Sequence, residues 1–177
     1  LAEVMEGRRV ERVEVRRYDL RIPIPEDFID RLQGRTLEKL GRRAKYLVGE
    51  FDDGTVLLAH LGMSGRMVIQ TADQADRGPG DFIHDPGRHS AHEHVVFHVG
   101  NGTVIRFSDP RRFGLMTLTD RAGLAEHKLL RHLGPEPIGP EFTGPVLAAR
   151  LKGKNTPIKA ALLDQRVVAG VGNIYAC

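Results

Sequence analysis

Asp52-Asp53-Gly54 falls between two apolar runs, and no other stretch constrains the fold of this chain as strongly. Asp-Gly supplies the left-handed backbone of a tight hairpin turn. Thr36 to Phe51 therefore reads as one or two strands, and Val56 to Leu61 as the return strand. Gly100-Asn101-Gly102 repeats the signal between His94–Val99 and Thr103–Phe107. Arg66–Ile69 and Gly114–Leu118 add extended segments, and Val10, Val13 and Val15 mark an earlier Val/Arg-rich strand running on to Ile22 with imperfect alternation. Pro23 and Pro25 end that strand, and Glu26–Leu32 reads as a short amphipathic helix closed by Gly34. After Asp120 the period changes. Ala122–Leu133, Glu141–Leu151 and Pro157–Asp164 read as helices, separated by the stiff Gly134-Pro135-Glu136-Pro137 and Gly139-Pro140 segments. Strands first and helices second imply an α+β chain, or a β-sandwich or barrel followed by a helical domain, rather than alternating α/β.

Composition removes several classes. The 177 residues suit one domain or two small ones, and 41% hydrophobic with 28% charged residues is ordinary for a globular chain, against disorder or a fibre. No apolar run reaches the roughly 18 to 20 residues of a membrane span, and no secretory leader precedes the first charges. Cys177 is the one cysteine, so no internal disulfide framework or multi-cysteine zinc site is expected. The balance of 26 Lys+Arg against 23 Asp+Glu gives +3, which permits a nucleic-acid partner without demanding one. The expectation is a soluble, intracellular protein. Leu1 opens the chain, and Gly172-Asn173-Ile174-Tyr175-Ala176-Cys177 looks like a helix just begun after a turn at Gly170 and Gly172. The chain is therefore read as a fragment open at both ends, with a processed terminus and frayed tail as the alternative.

Three segments carry residue types that a plain core does not need. In His60-Leu61-Gly62-Met63-Ser64-Gly65, the glycines can push Met63 outward as an apolar wedge between stacked bases, or Met63 fills a core gap. Asp109-Pro110-Arg111-Arg112-Phe113-Gly114 joins two arginines suited to phosphates with an aromatic wedge, or is a solvated turn with Phe113 tucked inward. Gly170-Val171-Gly172-Asn173 at a helix entry would offer backbone N–H groups to a phosphate, or is a glycine-rich connection capped by Asn173. Arg42, Arg43 and Lys45, with Lys152, Lys154 and Lys159, would bind phosphates or form a wet face. His84, His89, His92, His94 and His98 crowd one region, and His92 and His94 would share a face on a strand. A metal needs three or four ligands of fixed geometry, so pairing to phosphate or backbone is the preferred reading and no metal ligand is assigned. No nucleophile elbow, phosphate-binding loop or dinucleotide fingerprint is present.

Taken together, Arg42-Arg43-Ala44-Lys45-Tyr46-Leu47, HLGMSG at 60–65, His132-Leu133-Gly134-Pro135-Glu136-Pro137, DPRRFG at 109–114 and GVGNIYA at 170–176 resemble the formamidopyrimidine-DNA glycosylase family over essentially the whole chain. The resemblance implies an N-terminal antiparallel β-sandwich, here 1–120, and the start of a helical helix–two-turn–helix domain, here 121–177 and truncated. It implies base-excision repair: removal of oxidised purines such as 8-oxoguanine and formamidopyrimidines, then strand cleavage through a Schiff base with the N-terminal proline amine. By the same resemblance Lys45 is the catalytic lysine that donates a proton in β-elimination. Met63, Arg111 and Phe113 fill the hole left by a flipped nucleotide. His92, Arg111, Lys154 and Asn173 contact DNA, with Arg112, His60 and Lys159 as further DNA-binding candidates.

The chain departs from the family pattern at its ends. The Pro-Glu start is missing, and Leu1 matches a position inside the family's first helix. The zinc-finger cysteines and arginine lie past Cys177, so zinc belongs to the complete protein and no cofactor is expected within this chain. The expected partner is double-stranded DNA with oxidised bases, engaged by a cytoplasmic monomer without a membrane. Three alternatives stand beside this reading: an endonuclease VIII-like enzyme for oxidised pyrimidines, a non-catalytic relative that binds damaged DNA, and a histidine-cluster metal protein.

Overall fold

A computed structural model of the chain describes residues 1–71, 74–77 and 91–176. The chain divides into two compact units, Leu1–Gly41 with Tyr46–Arg121, and Arg42–Lys45 with Ala122–Cys177.

The first unit is built on antiparallel strands. After a short helix α1 (Ala2–Met5) come β1 (Arg8–Val15), helix α2 (Phe28–Leu32), β2 (Thr36–Arg43), β3 (Tyr46–Phe51), β4 (Thr55–His60), β5 (Arg66–Thr71), β6 (Gln74–Arg77), β7 (Glu93–Val99), β8 (Thr103–Ser108) and β9 (Leu115–Asp120). Their order is β6-β5-β8-β7-β1-β2-β3-β4-β9. β1 joins the two halves: Arg8 and Arg9 pair with β2, whereas Val10 onward pairs with β7 across a bulge between Val10 and Arg12. One extra residue resets the side-chain alternation, so Val10 and Val13 both face inward although three positions apart. That bulge is the physical cause of the imperfect alternation in the sequence. The strand ends at Val15 rather than Ile22.

Leu37, Phe51, Leu57 and Met116 from one half meet Val95, Phe97, Ile105 and Phe107 from the other in a single core, the packing of a β-sandwich. Helix α2 adds Phe28, whose ring lies 6.4 Å from that of Phe97. Gly54 closes the β3–β4 hairpin at φ +84°. The polar stretch read as a loop from Gln70 to Ala91 contains β6, antiparallel to β5; the rest of that reading, with His84 and His89, lies outside the described residues.

The second unit holds α3 (Gly144–Leu151) and α4 (Ile158–Leu163). Thr143 caps α3 by accepting a hydrogen bond from Val146 N, so the helix starts three residues later than Glu141. Pro157 stands just ahead of α4, where its missing N–H is harmless. The helix expected over Ala122–Leu133 does not form. His127 N, Leu130 N and Leu133 N each reach back only three residues, and the His127 ring takes Leu129 N. A side-chain acceptor that captures a backbone donor competes with helical bonding. Gly172–Ala176 makes one closed turn rather than a helix. Gly134 packs against the Val167 and Arg166 carbonyls, which leave no room for a Cβ. The buried Val167, Val168 and Ala169 complete this small core.

Candidate nucleic-acid interface

In the first unit, two loops far apart in sequence lie against each other. The β4–β5 loop carries Met63, and the β8–β9 loop carries Arg111, Arg112 and Phe113. Gly62 (φ +67°) turns the first loop, and Gly65 N bonds the Leu61 carbonyl at 2.9 Å. A Cβ on Gly62 would stand 2.6 Å from Gly114 N, so only glycine allows the two backbones to approach this closely. Met63 is 74% exposed and Phe113 44% exposed. Neither side chain is used to fill the core. The Arg111 guanidinium carbon sits 4.6 Å from the Phe113 ring centroid, a cation–π stack that keeps the ring outward.

The other expected DNA-binding residues divide by environment. Arg112 adopts φ +58° and its guanidinium pairs with Asp19 at 3.0 Å, an exposed contact shared with Arg17. His60 accepts from Gly62 N at 2.8 Å and stacks obliquely on Tyr46. His92 is exposed and precedes β7. His94 does not share its face. The register of β7 shifts between Glu93 and Val95, and His94 is buried, edge-on to Phe107, with Nε2 2.7 Å from the Asp109 carbonyl. His98 instead pairs with Glu14 at 2.8 Å, the bond chiefly responsible for holding that carboxyl below its ordinary range. His94 and His98 have separate partners, and among the described residues no group of three or more metal-ligating side chains is found.

In the second unit, Lys45 belongs to a segment clamped by one carboxyl group. Glu136 accepts from Arg42 (3.0 Å), Arg43 (2.6 Å) and Ala44 N (2.6 Å), while Arg43 also donates to the Gly134 carbonyl at 2.7 Å. Burial pushes the Glu136 carboxyl up, but the Ala44 N–H and the two guanidiniums outweigh it and hold the group below its ordinary value. Ala44 takes φ +53° at this turn. Lys45 itself is exposed, not buried, and its Nζ lies 3.6 Å from where a Cβ on Gly172 would stand. Gln165 shapes the adjoining turn: its side chain donates to the Leu163 and Val171 carbonyls and accepts from Gly170 N. Asn173 is exposed beside it. Lys154 reaches Asp164 at 3.5 Å, and Lys159 is exposed on α4.

The structure thus brings Met63, Arg111 and Phe113 onto neighbouring loops of one unit, and Lys45 beside Gly172 in the other. Sequence reasoning gave no role to Asp109, Ser64, Glu136 or Gln165. The first three lie inside the motifs quoted above, and the available signal was a polar side chain flanked by glycine or proline where a turn must be held.

Two family models match the chain: the formamidopyrimidine-DNA glycosylase N-terminal domain over residues 1–116 and the formamidopyrimidine-DNA glycosylase H2TH domain over 133–177. A formamidopyrimidine-DNA glycosylase of Brucella ovis is 52% identical across the whole chain, which covers 61% of that protein. One from a Bradyrhizobium species is 51% identical, with 60% of it covered. The chain therefore spans about three-fifths of the length of these relatives. Among solved structures, Lactococcus lactis Fpg in complex with abasic-site DNA superposes with a TM-score of 0.81 at 27% identity, over 99% of this chain and 60% of that one. The same bacterium's wild-type enzyme with DNA containing an oxidised pyrimidine gives 0.82 at 28% identity, over 99% and 61%.

Proposed function

This chain belongs to the formamidopyrimidine-DNA glycosylase family, and from that membership we propose that its protein is a base-excision glycosylase and abasic-site lyase for duplex DNA carrying oxidised purines. Residues 1–120 form its sandwich domain and 121–177 the opening part of its helical DNA-binding domain. The observation that carries the reading is the pair of touching loops that hold Met63 and Phe113 in solvent with Arg111 stacked on the ring. Exposed apolar and aromatic tips on a stiff turn suit insertion into a base stack, and chemistry on a stacked base requires that base to be flipped out.

The chemistry follows from the lesion. An amine displaces the damaged base at the sugar C1′ and opens the ring to an iminium. The iminium withdraws electrons, so the C2′ proton is lost and the bond to the 3′ phosphate breaks. Lys45 is the proton donor in this elimination. Its exposed Nζ, on a turn fixed by Glu136, is free to meet a substrate atom. His92, Lys154, Asn173, Arg112, His60 and Lys159 supply further DNA contacts. The attacking proline amine is assigned to the complete protein. The family's zinc finger is likewise assigned to the complete protein. The protein works in the cytoplasm as a monomer.

Borohydride trapping of the full-length protein on an 8-oxoguanine duplex tests this reading. A covalent protein–DNA adduct is expected. Binding without an adduct would indicate the non-catalytic relative, and an adduct formed only on oxidised pyrimidines would indicate the endonuclease VIII-like enzyme.

A further inference from the structure

The Asp109 side chain is fully buried, and each oxygen serves a different loop. Oδ2 accepts from Gly114 N at 2.7 Å, closing its own turn. Oδ1 accepts from Ser64 Oγ at 2.5 Å, across 45 residues of sequence. Ser64 Oγ in turn accepts from Arg111 N at 3.3 Å. The Asp109 backbone is fixed as well: its N–H donates to the His92 carbonyl, and its carbonyl receives Arg112 N and faces His94 Nε2. An aspartate ahead of a proline commonly closes its own turn, and the Gly114 bond alone would need no further explanation. The second oxygen does something a turn does not require. It ties the loop of Met63 to the loop of Phe113.

We infer that Asp109, acting through Ser64, is a positioning residue that locks these two loops into one rigid body, so that Met63 and Phe113 enter DNA together rather than as independent side chains. This rests on the glycosylase reading above and deepens it. Two loops free to move separately would each have to be ordered as they entered the stack. A pre-formed bond between them removes that step. The close approach of Gly62 to Gly114 brings the two loops near enough for this bond to form.

The test uses the full-length protein and stopped-flow fluorescence of 2-aminopurine placed beside an 8-oxoguanine, which reports base-pair opening. Met63→Ala, Phe113→Ala and the double variant are compared in the native and Ser64→Ala backgrounds. Ser64→Ala removes the bonds between the loops and leaves the Asp109–Gly114 bond in place. It should slow opening about fivefold, the loss expected for one buried hydrogen bond, with affinity for undamaged duplex unchanged. In the native background the double variant should be slowed no more than the worse single variant. In the Ser64→Ala background the two fold-changes should multiply. Asp109→Asn keeps an acceptor for Gly114 and a donor for Ser64, so it should preserve the native pattern, whereas Asp109→Ala should not. Multiplying effects in both backgrounds would overturn the inference. Opening without a borohydride adduct would fail the glycosylase reading alone, and an active enzyme with independent loops would fail the inference alone.

Discussion

Arg111 lies across the face of Phe113, 4.6 Å from the ring centroid, while the ring keeps 44% of its surface in solvent. The stack holds an aromatic side chain out of the core that it would otherwise tend to enter. Phe113→Ala should therefore leave thermal stability nearly unchanged and slow 8-oxoguanine excision about tenfold, the scale of one lost base–aromatic stack. Arg111→Ala should lower excision as well and flatten its salt dependence, because a cation is lost along with the support of the ring. Melting curves and single-turnover excision across a salt series check both. A large fall in melting temperature for Phe113→Ala would return that ring to the core.

Lys45 is set on a turn that Glu136 pins at Arg42, Arg43 and Ala44 N. Lys45→Ala should slow strand cleavage about a hundredfold or more, the usual contribution of a positioned proton-transfer group. DNA affinity should fall only by about one phosphate contact. Comparing gel-resolved strand cleavage with equilibrium binding separates the two. Equal losses would make Lys45 a phosphate contact only.

The fold was legible where local chemistry dictates it. Asp53-Gly54 and Asn101-Gly102 permit little besides tight turns, and the strands on either side follow from them. The β1 bulge was not legible, because its cause lies in pairing with both β2 and β7 rather than in residues 8–15. Ala122–Leu133 carries apolar residues at helical spacing, yet the His127 ring and three-residue bonding keep it in turns, a competition that periodicity cannot weigh. At the candidate site, Met63, Arg111 and Phe113 stand out as residue types that a plain turn does not need. Asp109 and Glu136 do not, because such an acceptor is recognised only by the donors that tertiary structure brings to it.

Asp164 gives the second unit a pH dependence of known sign. Hydrogen bonds from the Arg166 side chain and backbone N–H lower its carboxyl from 3.8 to about 2 against the opposing effect of burial. A depressed carboxyl group stabilises the fold above its unfolded value, and that contribution is lost as pH falls from about 4 towards 2. The protection factors of the Arg166 and Val167 amides, which bond Asp164, should fall through this window. Arg166→Ala should raise the carboxyl midpoint seen by NMR titration and move the loss of amide protection to higher pH. An unchanged midpoint would show that the ion pair does not set it.

Ser108 Oγ is buried and has no hydrogen-bond partner among the described residues. It sits at the end of β8, one residue before Asp109, whose own polar atoms are satisfied. An unpaired buried hydroxyl loses its hydration and gains nothing in return, a penalty of about 1–3 kcal/mol. Ser108→Ala removes the hydroxyl and leaves a small side chain in nearly the same space. It should be neutral or raise stability by up to about 1 kcal/mol, read as a higher urea midpoint at unchanged slope. Excision should be unaffected, since the Asp109 bonds to Ser64 and Gly114 do not involve Ser108. A destabilised Ser108→Ala would mean that the hydroxyl has a partner in the folded protein, a bound water above all.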